Sequence, residues 1–314
     1  MTKQKISKKH HYIPRKYLSW FSDDKNNFYV YDKIDDKIFK SSPDNSFFKN
    51  KLNTIEVNWE ENDELEKIYS NWESLFWSSY NNIINSNHKE SIKLEDKFEL
   101  FLFLNFLFWR LPTNQNLVDN ISRSDFEKIW LNYFKIEDKT NTLKPEVLKE
   151  MIKKMPQFNK MLKIILPMAP YYNKWNNWNN SIDSKFLYTS DNKPWYFIWD
   201  NPIILEEDKI NILNPLENCI IPISSKILMF SWKEFRQENF KESFIIQFNT
   251  AILHNSKRFV AFQNRSFLEA IIKDYKLHKK YKKEDTIIPE LIKLLKKYNW
   301  KIKVKNIEEM VNKI

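Results

Sequence analysis

The chain contains no glycine in 314 residues. Average usage is about 7%, so roughly twenty would be expected in a chain this long. Wherever the backbone must adopt positive φ, another residue has to carry it, and Asn and Asp are the next most tolerant. The pairs Asn26-Asn27, Asn81-Asn82, Asn176-Asn177 and Asn179-Asn180 read first as that replacement. The same absence disfavours several function classes. Phosphate-cradling P-loops, dinucleotide-binding turns, nucleophile elbows and kinase Gly-rich loops all need glycine for close backbone approach.

The remaining composition supports a folded core. Apolar residues make up 42% of the chain and aromatics 16%, including 12 Trp and 24 Phe, which argues against disorder. One cysteine, Cys219, excludes an intramolecular disulfide and fits a reducing compartment. No apolar segment follows Met1, and the most apolar run, Leu100 to Trp109, is too short to span a bilayer. These features lead to the expectation of a soluble, cytoplasmic protein with no membrane partner. A net charge of +10 favours polyanionic partners, meaning nucleic acid or an anionic membrane surface. The competing reading is a Lys-rich solvated surface, because Lys greatly outnumbers Arg, the more specific phosphate reader.

Hydrophobic spacing predicts helices over Pro14–Phe21, Glu61–Asn85, Leu94–Leu111, Val118–Phe134 and Val147–Met155, with another after Pro156. Residues 27–39 read as a hairpin turning at Asp35-Asp36. After about residue 182 the pattern changes. Lys185–Thr189, Trp195–Trp199, Cys219–Ile223, Ile227–Trp232 and Arg258–Phe262 read as strands. Phe244–Asn255, Leu268–Lys283 and Ile288–Tyr298 read as helices, and Trp300–Val304 as a last strand. The expected class is α+β: a mostly helical N-terminal half, then a small mixed or antiparallel sheet with flanking helices. The expected division is a basic tail over 1–9, a region over 10–182 holding the N-terminal motif, hairpin and helices, and a sheet-containing region over 183–314. The two regions are read as one integrated domain.

His10-His11-Tyr12-Ile13-Pro14, followed by Tyr17-Leu18 and Phe21, resembles the opening signature of a bacterial family of unknown function. Further along, Val30-Tyr31-Asp32-Lys33, Arg110-Leu111-Pro112, Asp200-Asn201-Pro202, Ile221-Pro222-Ile223-Ser224, and Asn249 with Arg258-Phe259-Val260 resemble its later segments in order. A Ser stands at 224 where the family commonly has a second Pro. The resemblance implies a shared bacterial fold, with toxin or phage-defence roles among its members. It supplies positions rather than chemistry.

The histidine pair carries the sharpest chemical expectation. Only five histidines occur and two are adjacent. A His-His-x-x-Pro opening also resembles some His-Asn-His-type nucleases of the ββα-metal class. In those, one imidazole activates water and a neighbour holds a divalent metal that stabilises charge on the scissile phosphate. On this reading His10, His11 and Asp200 are the catalytic candidates. His10 and His11 are also the candidate ligands of a divalent ion of unstated identity, and nucleic acid is the substrate. Arg15, Arg110, Asn249, Arg258, Lys279 and Lys280 are the binding candidates. The sequence departs from the nuclease pattern in lacking an obvious downstream Asn/His helix. The alternative is a non-enzymatic nucleic-acid-binding or regulatory protein in which the two histidines are structural.

Overall fold

The computed structural model describes residues 8–57, 60–86, 92–121, 158–168, 185–189, 193–205, 215–216, 219–231, 242–281 and 291. In chain order the described elements begin with β1 (Lys9–His11), α1 (Arg15–Ser19), β2 (Phe28–Asp32), β3 (Lys37–Ser41), β4 (Phe48–Asn50), β5 (Ile55–Val57) and β6 (Glu60–Asn62). Then come helices α2 (Glu64–Asn85), α3 (Leu94–Arg110), α4 (Gln115–Asp119) and α5 (Phe158–Ile165). The C-terminal part holds β7 (Lys185–Tyr188), β8 (Ile198–Trp199), β9 (Ile204–Leu205), β10 (Cys219–Ser224), β11 (Ile227–Phe230), α6 (Glu242–Asn255), β12 (Phe259–Phe262) and α7 (Arg265–Tyr281). Helices and antiparallel sheets together make the chain α+β. The helix expected over Val147–Met155, most of that over Val118–Phe134, and the elements expected over Ile288–Tyr298 and Trp300–Val304 lie outside the described residues.

The chain divides into two compact units. The first comprises Met1–Tyr12, Phe48–Ile182 and Asn211–Pro215; the second comprises Ile13–Phe47, Asp183–Ile210 and Leu216–Ile314. Residues 13–47, grouped by sequence with the N-terminal region, belong to the second unit. Their hairpin β2–β3 adds to a distant strand: β12 pairs with β2 in the register Val260 to Tyr31 and Ala261 to Val30. Alternation identifies a hairpin but carries no information about the strand beside it.

In the first unit, β1 pairs antiparallel with β4, setting His10 opposite Lys49 and His11 opposite Phe48. A second ribbon joins β5 to β6. Helix α2 packs on α3, whose residues from Leu100 to Arg110 are all buried. No helix among the described residues is long and apolar enough to cross a membrane.

The second unit holds two four-stranded antiparallel sheets, ordered β3-β2-β12-β8 and β7-β11-β10-β9. Tyr196, Phe197, Trp199, Phe230, Phe248 and Leu268 belong to one buried cluster. Burying each large side chain contributes about 1.5–3 kcal/mol, so this cluster outweighs any surface pair in the unit. Pro222 sits in β10, an inner strand, where the missing N–H would normally exclude it. It is tolerated because β9 pairs only with Cys219 and Ile220, and the β10–β11 register shifts between Pro222 and Ser224. The freed carbonyl of Pro222 accepts the Tyr17 hydroxyl.

The glycine deficit is met by Asn26 (φ 57°) and Asp36 (φ 48°), as the sequence leads one to expect, but also by Phe47 (φ 54°) and Lys51 (φ 53°). A bulky residue in this region is strained and persists only where its surroundings hold it. Phe47 is buried, with edge-to-face contacts to Phe28 and Phe259 at 6.4 Å each. Asn81-Asn82, read as a turn, lies instead inside α2, where Asn82 donates to Asp96 at 3.1 Å. Asn176-Asn177 and Asn179-Asn180 are outside the described residues.

Candidate functional site

The histidine pair is on a strand rather than in a loop ahead of a helix. Successive strand residues face opposite sides of the ribbon, so the two imidazoles diverge. His11 packs against the Phe48 ring at 5.6 Å. His10 is fully buried, and its Nδ1 accepts the backbone N–H of Asn53 at 2.9 Å. An imidazole nitrogen that accepts carries no proton, which assigns the proton of neutral His10 to Nε2. The 4.0 Å approach of that same Nδ1 to Glu66 is therefore a near contact rather than an ion pair.

Asn53 continues the network. Its side-chain amide donates to Oε2 of Glu66 at 2.7 Å. The other oxygen of Glu66 lies 3.4 Å from Nη2 of Arg110, while Nη1 of Arg110 donates to Glu73. The guanidinium also lies over the Tyr69 ring, 4.5 Å from its centroid. Glu66, Tyr69 and Glu73 are spaced i, i+3, i+7 on α2 and therefore share one face. Burial opposes the Arg110 charge, but Glu73 and Glu66 outweigh it and hold the guanidinium above its ordinary pKa. Arg110 is one of the binding candidates of the sequence. In the fold it neutralises two carboxylates. Its segment and the His10 segment thus converge on Glu66, about a hundred residues of chain apart.

Beside this network an open cavity of about 740 Å³ is walled on its apolar side by Leu65, Ile121 and Phe158. Its polar groups include Asn53, Asp119, Lys160 and Lys163. Gln115 and Asn159 both donate to Oδ1 of Asp119, at 2.9 and 2.6 Å. Lys160 and Lys163 are three apart on α5 and so share a face. Lys160 donates to the carbonyl of Thr54. The Lys163 side chain is only 5% exposed, while its amine is not among the buried polar atoms left without a partner and so remains open to the cavity. Burial is the main cause that lowers its pKa to about 8; Asp119 pulls it back up, and Lys160 and Lys49 push it further down.

The other sequence candidates lie in the second unit. Asp200 is buried and accepts the backbone N–H groups of Lys257, Arg258 and Phe259 at 2.9, 2.6 and 3.1 Å. Burial raises its pKa, against those three donors. Arg258 forks onto Asp32, with Nε at 3.1 and 3.0 Å and Nη2 at 2.8 Å. Asn249 is fully buried, accepts from Phe197 N–H at 3.2 Å and donates to the Trp195 carbonyl at 2.8 Å. Arg15 forms an exposed pair with Asp44 at 2.9 Å. Lys279 and Lys280 are exposed in the last turn of α7. His10 and His11 belong to one unit and Asp200 to the other.

Asn53, Glu66, Glu73, Lys160 and Lys163 were not singled out from the sequence. The i, i+7 acidic pair on α2 was a usable signal for the Arg110 partners. Nothing local marks Lys163 among so many lysines.

Fold and site define an α+β protein with a buried charged network against an open, lysine-bearing cavity. The chain belongs to the DUF4238 family, described as a protein of unknown function, whose model matches residues 9–266. No curated protein and no solved structure matches the chain.

Proposed function

We propose that this chain is a nucleic-acid-binding effector, of toxin or phage-defence type, that engages its target through the first unit. The observation that carries the reading is the cavity lined by two lysines of one helix face, Lys160 and Lys163, the second on a side chain only 5% exposed whose amine stays open to the cavity. Two ammonium groups beside one open cavity favour an anionic ligand. The net charge of +10 supports a polyanion as its source. In this reading the histidines are structural, because Nδ1 of His10 is committed to Asn53.

A second reading, cleavage of the bound nucleic acid, is favoured by one observation. The Lys163 amine, lowered to about 8, can exchange a proton near neutral pH as a general base or acid must. A metal-dependent version on His10 and His11 is less well matched by the donors present. His10 could offer an ion only Nε2, the two imidazoles sit on opposite faces of β1, and among the described residues no three His, Cys, Asp or Glu are grouped to hold a metal.

The test is binding of the purified chain to labelled single-stranded RNA and double-stranded DNA across a salt series, with substrate integrity read in parallel. The expected result is salt-sensitive binding that weakens in Lys160→Ala/Lys163→Met and survives in His11→Ala. Cleavage that disappears in Lys163→Met would move the reading to the second form. Absence of binding to either polymer at low salt would overturn both.

A further inference from the structure

We propose that the cavity of the first unit is a nucleotide site, with Lys163 and Lys160 holding a phosphate and the apolar wall taking a base. The inference rests on the reading of this cavity as anion-binding and names the ligand.

Glycine supplies the backbone cradle in most phosphate loops, and this chain has none. Any phosphate it holds must be met by side-chain donors. The cavity has two ammonium groups one helical turn apart on α5, both reaching the same concavity. The Lys163 side chain is 5% exposed, but its amine is not one of the buried polar atoms left without a partner, so it stays open to the cavity it lines. An ammonium held there on a buried stem is placed to meet an anion that enters. Asp119, a carboxylate lining the same cavity, accepts two amide donors on a single oxygen. With Asp119 beside them the two ammonium groups leave one net positive charge, and a phosphate, with several acceptor oxygens spread around one centre, can meet both amines at once while offsetting it.

The rest of the cavity argues against inorganic phosphate alone. Leu65, Ile121 and Phe158 offer an apolar face, and Asn53 a side-chain amide at the wall. An apolar plate, an amide and a cationic end are the groups that recognise a base carrying a phosphate. The volume, about 740 Å³, falls in the range of small-molecule sites. The phosphate could belong to a free nucleotide or to the end of a nucleic-acid strand. The chemistry at Lys163 is the same for both.

The experiment is calorimetric titration of the full chain with AMP, adenosine and inorganic phosphate. A 5′-phosphorylated oligoribonucleotide and its dephosphorylated form are titrated beside them. The expected result is that AMP binds at least tenfold more tightly than adenosine or inorganic phosphate, and that Lys163→Met loses at least tenfold. Lys163→Arg should retain most of the affinity, and Lys40→Ala on β3 should retain all of it. Tighter binding of the phosphorylated oligonucleotide than of AMP assigns the phosphate to a strand end; the reverse assigns a free nucleotide. Equal AMP affinity in wild type and Lys163→Met, or no AMP binding at millimolar concentration, would overturn the site. Oligonucleotide binding that persists in Lys163→Met, insensitive to the 5′ phosphate, would overturn this inference while leaving nucleic-acid binding intact.

Discussion

Nδ1 of His10 accepts the backbone N–H of Asn53 at 2.9 Å, with both residues buried. One side chain of the histidine pair thus completes the hydrogen bonding of a turn. His10→Ala removes the acceptor and leaves a buried N–H unsatisfied, so a loss of about 1–3 kcal/mol is expected. Urea unfolding of wild type and mutant measures it. The nitrogen shifts of His10 in a labelled sample should report the Nε2–H tautomer. An Nδ1–H tautomer would refute the assignment.

Arg110 is the most consequential charge in the first unit. It is 3% exposed and touches both Glu66 and Glu73. Removing one partner of a buried ion pair costs about 3–5 kcal/mol, because the remaining charge is stranded. Arg110→Met is expected to destabilise by that order, and Arg110→Met combined with Glu66→Gln and Glu73→Gln to recover part of it. Chemical denaturation of the single and triple variants checks both. An Arg110→Met protein as stable as wild type would show the pairs to be loose.

Asp200 fastens β8 to the start of β12 through three backbone donors. Asn at 200 keeps one acceptor oxygen and introduces a donor that faces N–H groups. Asp200→Asn should cost about 1–3 kcal/mol while nucleic-acid binding per folded molecule stays unchanged. Binding measured on protein shown to be folded by its circular dichroism separates the two effects. A folded Asp200→Asn protein that has lost binding would return Asp200 to the functional residues.

The sequence made local order legible wherever one element determines its own pattern. The β2–β3 hairpin and the helices α2, α3, α6 and α7 appear where apolar spacing puts them, to within a few residues. Trp195–Trp199, read as a strand, contributes only Ile198–Trp199 to a sheet, because Asn249 rather than a neighbouring strand satisfies Phe197 N–H and the Trp195 carbonyl. The three-residue strands β1, β4, β5 and β6 are too short for alternation to register. The site was half legible. His10 and Arg110 stood out by rarity and by motif, but their meeting on Glu66 depends on three segments that no periodicity links. Lys163 was invisible because its difference from other lysines is burial, a property of the packed helices and not of the residue.

That burial makes the last prediction. The Lys163 pKa is about 8 in the fold against an ordinary 10.5. Below pH 8 both folded and unfolded chains carry the charge, and the fold bears the full cost of burying it, of order 3 kcal/mol. Between pH 8 and 10 the unfolded chain binds more protons at this position than the folded one, so its contribution to stability rises with pH. Above pH 10 the buried Tyr69, Tyr17 and Tyr196, whose pKa values burial pushes up, act in the opposite sense, since the unfolded chain then releases protons that the fold retains. The comparison therefore belongs between pH 7 and 10. Lys163→Met should melt higher than wild type at pH 7, and the gap should narrow towards pH 10. A phosphate ligand should flatten the wild-type trend, because the bound amine stays charged between pH 8 and 10 as it does in the unfolded chain, so the loss of ligand affinity above pH 8 cancels the rise. Thermal melts of both proteins at pH 7 and pH 10, with and without AMP, read all three outcomes. A gap that does not change with pH would mean that Lys163 is not the buried cation of this cavity.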